Sequence, residues 1–261
     1  MLTERQRQEA AERLLDAEQR RQRLPRLSDT YAGIDVDDAY DIQHRVVALK
    51  VGGGCTVRGY KIGLTSKAMQ DAVGISEPDF GHLLDTFFFA DGAKISAGKY
   101  QAPRLEVELA FVLNRPLKGP GITVSDVLSA TEHVIPALEL IDSRTELPRK
   151  FVDTLADNAA SAGVVMGGRP VRPMDVDLRW LGAVVYKNAA IEETGMSAAV
   201  LGHPAAGVAW LANRLGPRGV SLEPGQVLLG GSFTRPITAA AGDVFHIDYG
   251  PLGGIAVAFT E

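Results

Sequence analysis

One cysteine, Cys55, stands in 261 residues. No disulfide can close within such a chain, and a reducing compartment, the cytoplasm, is the expected setting. Aromatic residues make up only 7%, too few for the stacking platforms that grip single strands of nucleic acid. A basic excess is missing as well: 27 Lys and Arg against 32 Asp and Glu leave a net charge of −5, the wrong sign for a nucleic-acid binder. Long apolar runs are also missing. The longest stretch without Asp, Glu, Lys or Arg, residues 194–213, is interrupted by Gly195, Gly202, His203, Pro204 and Gly207. It suits a loop entering a helix better than a membrane span. Residues 1–7 turn charged at once and lack the apolar core of a secretory leader. The common chemical signatures are absent too: G-x-G-x-x-G, the P-loop, G-x-S-x-G, C-x-x-C and H-E-x-x-H do not occur. The five histidines are scattered, with no zinc-like spacing.

What is present describes an ordinary soluble globular protein, 46% hydrophobic, with 28 glycines and 14 prolines for many turns. Residues 1–55 read as helical. Thr3 followed by Gln6 forms a capping box, and Ala10, Ala11, Leu14, Leu15 and Ala17 form a narrow apolar stripe, either a solvated arm or an oligomer contact. A second helix starts near Asp35 and stops at Gly52-Gly53-Gly54. Residues 56–261 read as a strand-rich body. Strands are expected at 57–64, 104–113, 134–141, 164–166, 178–186, 226–229, 244–249 and 255–259. Helices are expected from Thr65 through Val73 to Gly74, from a Ser125 cap toward His133, and between Pro204 and Gly216. Helices first and strands after give an α+β fold, one folding unit with no linker.

Three carboxylates stand out. In Arg104-Leu105-Glu106-Val107-Glu108-Leu109-Ala110-Phe111-Val112-Leu113, strand alternation puts Glu106 and Glu108 on one face with Ala110 and Val112. The two glutamates are then roughly 6.5–7 Å apart along the strand, on a face that turns apolar at once. A cation between them would resolve the conflict. Glu139 is the one charged residue of Val134-Ile135-Pro136-Ala137-Leu138-Glu139-Leu140-Ile141. A buried carboxylate there needs a partner, either Arg104 or Arg144 in an ion pair, or a metal. Three carboxylates without thiolates or clustered imidazoles suit a hard ion, Mg²⁺ or Mn²⁺. Lys61 shares its strand face with Gly59 and Gly63, which leave room for close approach by a ligand. It is either a surface lysine or a charge placed beside a bound anion.

Together these segments resemble a known family. The carriers are Gly59-Tyr60-Lys61-Ile62-Gly63-Leu64-Thr65-Ser66-Lys67, Ser76-Glu77-Pro78-Asp79-Phe80-Gly81, the Glu106/Glu108 and Glu139 segments, Asp157-Asn158-Ala159-Ala160-Ser161 and Gly230-Gly231-Ser232-Phe233-Thr234-Arg235-Pro236. They are similar to the 2-oxo-hept-4-ene-1,7-dioate hydratases, in the hydratase and decarboxylase branch of the fumarylacetoacetase-like superfamily. The resemblance implies a mixed β-roll with flanking helices. It implies a divalent metal, usually Mg²⁺, on Glu106, Glu108 and Glu139, and acid/base or substrate roles for Lys61, Asp79 and Ser161. It also implies a homo-oligomer, commonly a decamer. The implied activity is hydration of a 2-oxo-4-enoate diacid in aromatic meta-cleavage catabolism, with no nucleic-acid or membrane partner. Alternatives within the branch are a five-carbon 2-oxopent-4-enoate hydratase and a 4-oxalocrotonate decarboxylase. A non-catalytic subunit in complex with another pathway enzyme is the alternative of a different class. A seven-carbon diacid needs a cation for its second carboxylate, and Arg144 and Arg149, just after the Glu139 strand, are the expected ones.

Overall fold

The computed structural model describes residues 1–67, 70–71 and 75–261. The helix expected from Thr65 to Gly74 falls partly outside the described residues. Helix α1 (Glu4–Arg20) begins with the expected capping box: the Gln6 N–H donates to Thr3 Oγ1, and Gln6 Oε1 accepts from the Thr3 N–H. A short α2 (Leu27–Thr30) leads to α3 (Val36–Gly52), capped by Asp35. The α1 stripe is neither an arm nor an unpartnered face. Ala10, Ala11, Leu14 and Ala17 are buried in the main core, and α1 lies against α3 of the same chain.

The body holds two sheets. The larger takes β1 (Val57–Gly63), β2 (Asp79–Leu84), β3 (Phe88–Ala90), β5 (Arg104–Leu113), β6 (Thr131–Ile141), β7 (Ser161–Met166), β10 (Val227–Leu229) and β11 (Ile237–Thr238). Its order is β2-β1-β10-β5-β6-β7-β3, with β11 beside β5. The β1/β10 and β3/β7 pairs are parallel and the rest antiparallel. The smaller sheet takes β4 (Ala93–Ser96), β8 (Gly182–Lys187), β9 (Ala190–Met196), β12 (Val244–Asp248) and β13 (Gly254–Thr260), in the order β4-β13-β12-β8-β9. This is the expected mixed α+β architecture. One extended core runs from Ala10 and Ile42 in the N-terminal helices through Leu109 and Leu138 to Phe245 and Phe259. Among the described residues no helix is long and apolar enough to cross a membrane.

Several local expectations need correction. The helix before β6, α4 (Val124–Ala130), is capped by Thr123 and not Ser125, because Thr123 Oγ1 accepts from the Asp126 N–H and Asp126 answers back to the Thr123 N–H. His133 therefore lies inside β6. Strand β8 starts at Gly182, since residues 178–180 coil as a short 3₁₀ turn around the Asp177 side chain. The last α-helices are α5 (Phe151–Ala156), which sequence reading did not anticipate, and α6 (Ala205–Leu215), which it did.

Residues 23–28 tie the helical region to the loop that follows β6. Leu24 accepts from the Glu146 N–H and donates its own N–H to the Arg144 carbonyl. Arg23 donates to the Ser143 carbonyl and Arg26 to that of Pro148. Ser28 donates through both N–H and Oγ to the buried Asp153 carboxylate at the start of α5.

Candidate metal centre and active-site cavity

Sheet register assembles the site. Glu106 on β5 stands opposite Glu139 on β6, Glu108 opposite Ala137, and Glu139 opposite Val164 on β7. Gly59, Lys61 and Gly63 on β1 face the same way and pair with Leu83, Gly81 and Asp79 on β2. Directly paired residues share a sheet face, so Lys61, Asp79 and the three glutamates project to one side. The apolar continuation of that face, which made Glu106 and Glu108 conspicuous, is a small separate core of Leu83, Ala110, Ala137, Val164 and Leu229. The glycines provide the space. A Cβ on Gly63 would sit 2.2 Å from Asp79 Oδ1, and one on Gly81 would sit 2.4 Å from the Asn158 carbonyl oxygen.

Glu106, Glu108 and Glu139 each bring one carboxylate oxygen within 4.8 Å of the others'. Glu108 and Glu139 are fully buried, while Glu106 reaches the cavity. Gly231 N–H donates to Glu108 Oε2 at 2.8 Å. Glu108 Oε1 and both oxygens of Glu139 are buried without a hydrogen bond. Such oxygens are costly unless a cation meets them, and within the chain only Glu139 Oε2 has one, the Lys61 ammonium, among the described residues. A hard, oxygen-preferring divalent ion fits this all-carboxylate set. Burial pushes Glu108 well above the usual carboxylate range, and the charges of Glu139 and Glu106 push it further. Burial also lifts Glu139, to about 8, with Lys61 opposing and Glu106 adding to the rise.

Lys61 is buried, with Nζ 3.2 Å from Glu139 Oε2. The surface reading of this lysine is excluded, as is pairing of Glu139 with Arg104 or Arg144. Burial works against the ammonium, but Glu139, Asp79, Glu106 and Glu108 outweigh it and hold it charged beyond its ordinary range. Asp79 Oδ1 is buried without a hydrogen bond. Burial raises the Asp79 carboxyl, with Lys61 and Arg149 opposing. Ser161 opens β7 with its Oγ buried and not hydrogen-bonded, and it acts on the Glu139 carboxyl in the direction of the charged form.

A cavity of about 600 Å³ opens beside Glu106. Lys61, Asp79 and Glu106 line it, together with Arg104, Arg149 and Lys150. Ile75, Ile141, Leu147 and Phe151 supply apolar wall. Arg149 is thus at the cavity, but Arg144 is not. Arg144 is buried and committed to Asp157, with Nε at 2.5 Å from Oδ1 and its own N–H on Oδ2. Its remaining nitrogens go to the carbonyls of Asp157 and Ser161. The expected substrate role of Arg144 is replaced by a structural one: it braces the turn leading into Ser161.

Sequence reading missed two features. Arg104 entered only as a possible partner of Glu139, although its parity with Glu106 could have placed it in the cavity. The second is the backbone of Asn158, Ala159 and Ala160, with φ of 51°, 48° and 65°. Left-handed geometry in non-glycine residues costs roughly 1–3 kcal/mol each. The Asn158 side chain holds the turn by accepting from the His82 N–H and donating to its carbonyl. Ala159 and Ala160 thereby become cavity wall. Only the Asp157-to-Ser161 segment as a whole pointed there.

Residues 61–259 match the model of the fumarylacetoacetate (FAA) hydrolase C-terminal family. The chain is 55% identical over 257 residues to the 2-oxo-hept-4-ene-1,7-dioate hydratase of Escherichia coli, covering 96% of each. It is 41% identical over 254 residues to the 2-hydroxyhexa-2,4-dienoate hydratase of Comamonas testosteroni, again covering 96% of each. The solved structure of 4-oxalocrotonate decarboxylase from Pseudomonas putida G7, complexed with magnesium and adipate, superposes with a TM-score of 0.97 at 36% identity, covering 99% of each chain. With matches this long and this similar, the chain belongs to the fumarylacetoacetate hydrolase C-terminal family, as a member resembling its dienoate hydratases and oxalocrotonate decarboxylases.

Proposed function

We propose that this chain is a divalent-metal-dependent hydratase that converts 2-oxo-hept-4-ene-1,7-dioate, through its 2-hydroxydiene tautomer, to 4-hydroxy-2-oxoheptanedioate. The observation that carries the reading is the cavity lined by Lys61, Asp79 and Glu106, the last a member of the Glu106/Glu108/Glu139 cluster, with arginines lining the same space. A relative 55% identical over 96% of both chains and bearing the hydratase name supports the substrate. Glu106, Glu108 and Glu139 are the metal ligands in this reading. Mg²⁺ is the favoured ion and Mn²⁺ the alternative; when bound, it supplies Lewis acidity to the 2-oxo acid end and stabilises enolate charge.

The protein's own groups then divide the work. Lys61 holds positive charge beside the developing enolate oxygen. Asp79, with Oδ1 unsatisfied, is the candidate to carry the enol proton to C5, which turns the diene into a conjugated 2-oxo-3-ene. Water then adds hydroxyl at C4 and a proton at C3, so one H₂O is gained in total. Ser161 steadies Glu139, and Arg149 faces the distal carboxylate. The oligomer expected of this family, a decamer, and a cytoplasmic setting belong to the same proposal. We read residues 1–55 as a helical extension of a 56–261 catalytic unit.

Product analysis tests the reading. Purified protein with Mg²⁺ and the C7 dienol should yield the 4-hydroxy-2-oxo diacid, and exhaustive chelation should stop it. Release of CO₂ in place of hydration would assign it to the decarboxylases, and full activity after chelation would remove the metal from the mechanism. No turnover of any dienol would leave a non-catalytic subunit.

A further inference from the structure

We infer that Arg104 and Arg149 together form the subsite for the distal carboxylate, which makes Arg104 a determinant of selectivity for dianionic over monoanionic substrates. This rests on the hydratase reading above and deepens it.

Four observations carry the inference. Arg104 precedes Glu106 by two residues on β5, so it shares that face about 6.5–7 Å further along the strand. Among the described residues its guanidinium has no hydrogen-bonding or ion-pair partner, although it lines the cavity. Arg149 lines the same cavity with Nη1 buried and not hydrogen-bonded, at 3.7 Å from Asp157 Oδ2, a carboxylate already held by Arg144. Lys150 adds a third cation to the lining, against two lining carboxylates, Asp79 beside Lys61 and Glu106 of the metal cluster. Two guanidiniums in one partly desolvated space, one without a partner and the other left only a share of the Asp157 carboxylate that Arg144 already holds, call for an anion.

The shape of the space selects the kind of anion. Ile75, Ile141, Leu147 and Phe151 give it apolar wall suited to hydrocarbon. A second cavity, of about 390 Å³, also meets Glu106 but carries Glu193. Its arginine, Arg235, is already paired with Glu192 and Glu193 at 2.7 Å each. A ligand with one end at Glu106 and a second negative end therefore extends toward Arg104 and Arg149. The class that fits is a 2-oxo acid with a flexible or unsaturated carbon chain ending in a carboxylate.

The test compares Mg²⁺-loaded wild type, Arg104→Gln, Arg104→Lys and Arg149→Gln in calorimetric titrations. The probes are 2-oxoheptanedioate, which lacks the reactive double bond, and 2-oxoheptanoate, which is equally long but lacks the distal carboxylate. Wild type should prefer the diacid. Each Gln variant should lose about 10- to 150-fold on the diacid and stay within about twofold on the monoacid, which also reports an intact site; Arg104→Lys should recover part of the loss. An equal loss on both probes in Arg104→Gln would make Arg104 a mere neutraliser of the Glu106 field, and no loss on either would make it a solvated charge. Both results overturn the inference. The hydratase reading fails separately: a wild type that prefers the diacid probe yet does not hydrate the C7 dienol loses its assigned reaction and keeps its subsite.

Discussion

Replacing Glu139 by Gln should make the metal-free protein more stable while abolishing its response to Mg²⁺. Glu139 is fully buried, and burial with neighbouring charge lifts it to about 8. In the unfolded chain the same carboxyl titrates near about 4.3. A carboxyl whose folded value is raised makes folding less favourable as pH rises from about 4.3 to about 8, because the unfolded chain releases the proton first. At pH 7 that penalty is about 3–4 kcal/mol. Glutamine does not titrate and escapes it. An amide left without partners in the same place costs about 1–2 kcal/mol, so a net gain of about 2 kcal/mol remains. In a chain of this size that raises Tm by a few degrees. For wild type, Mg²⁺ at a hundredfold excess over Kd adds about 2.7 kcal/mol, and the variant should gain nothing. Scanning calorimetry at fixed protein concentration, with chelator and with excess Mg²⁺, should show the two melting temperatures change order. A metal-free variant melting several degrees below wild type, and still stabilised by Mg²⁺, would refute the reasoning, since Glu139 would then be an ion-pair partner of Lys61 and nothing more.

Lys61→Ala should lower kcat by roughly 10²–10⁴ while Mg²⁺ affinity holds or rises, because a competing cation has gone; wild-type turnover would return the residue to structure alone. Mg²⁺ affinity should climb as pH is raised from about 6 to about 9, with protons released on binding, since Glu108 and Glu139 must both ionise to act as ligands. Titrations in buffers of different ionisation enthalpy measure this, and a flat affinity would contradict it. Arg144→Ala strips the close guanidinium from buried Asp157, leaving it the residue-144 backbone N–H and the longer Arg149 contact, and should cost about 3 kcal/mol in denaturant unfolding with the C7-to-C5 selectivity unchanged. A loss of selectivity without loss of stability would restore the substrate role that the Arg144–Asp157 pair argues against. Gly63→Ala drives a Cβ into Asp79 Oδ1 and should cut kcat at least about tenfold in a protein that still folds, as judged by circular dichroism.

Some of this was legible in the sequence because strand periodicity is a local property. The parity of residues 104–113 alone set Glu106 and Glu108 on one face, and β5 spans those residues, its pairing with β6 regular until a shift between Val112 and Leu113. Glu139 was visible as a charge within an apolar run for the same reason. Partner choice was not visible. Whether Glu139 meets Arg104, Arg144 or Lys61 depends on the order β1-β10-β5-β6, and that crossover leaves no mark on any single strand. The fate of Arg144 was hidden likewise, because Asp157 reaches it only through the turn after α5. Strands β2, β3 and β4 escaped notice because they are short, and β2 is buried at every position and shows no alternation. The left-handed turn at Asn158–Ala160 contradicts alanine's preference and could be inferred only by matching the whole segment to a family.

The ties of residues 23–28 to the loop after β6 have a mechanical consequence. Arg149 rides on a segment whose backbone is clamped on one side by Leu24, on a second by Arg26 at Pro148, and at its helical end by Ser28 on Asp153. These contacts join residues more than a hundred positions apart, so the loop cannot open without releasing the turn between α1 and α3. An anion seated on Arg149 should therefore slow amide hydrogen exchange near Leu24 and Ser28 as well as at the site. Trimming the first helices should blunt discrimination between substrates before it touches the chemistry at the carboxylates.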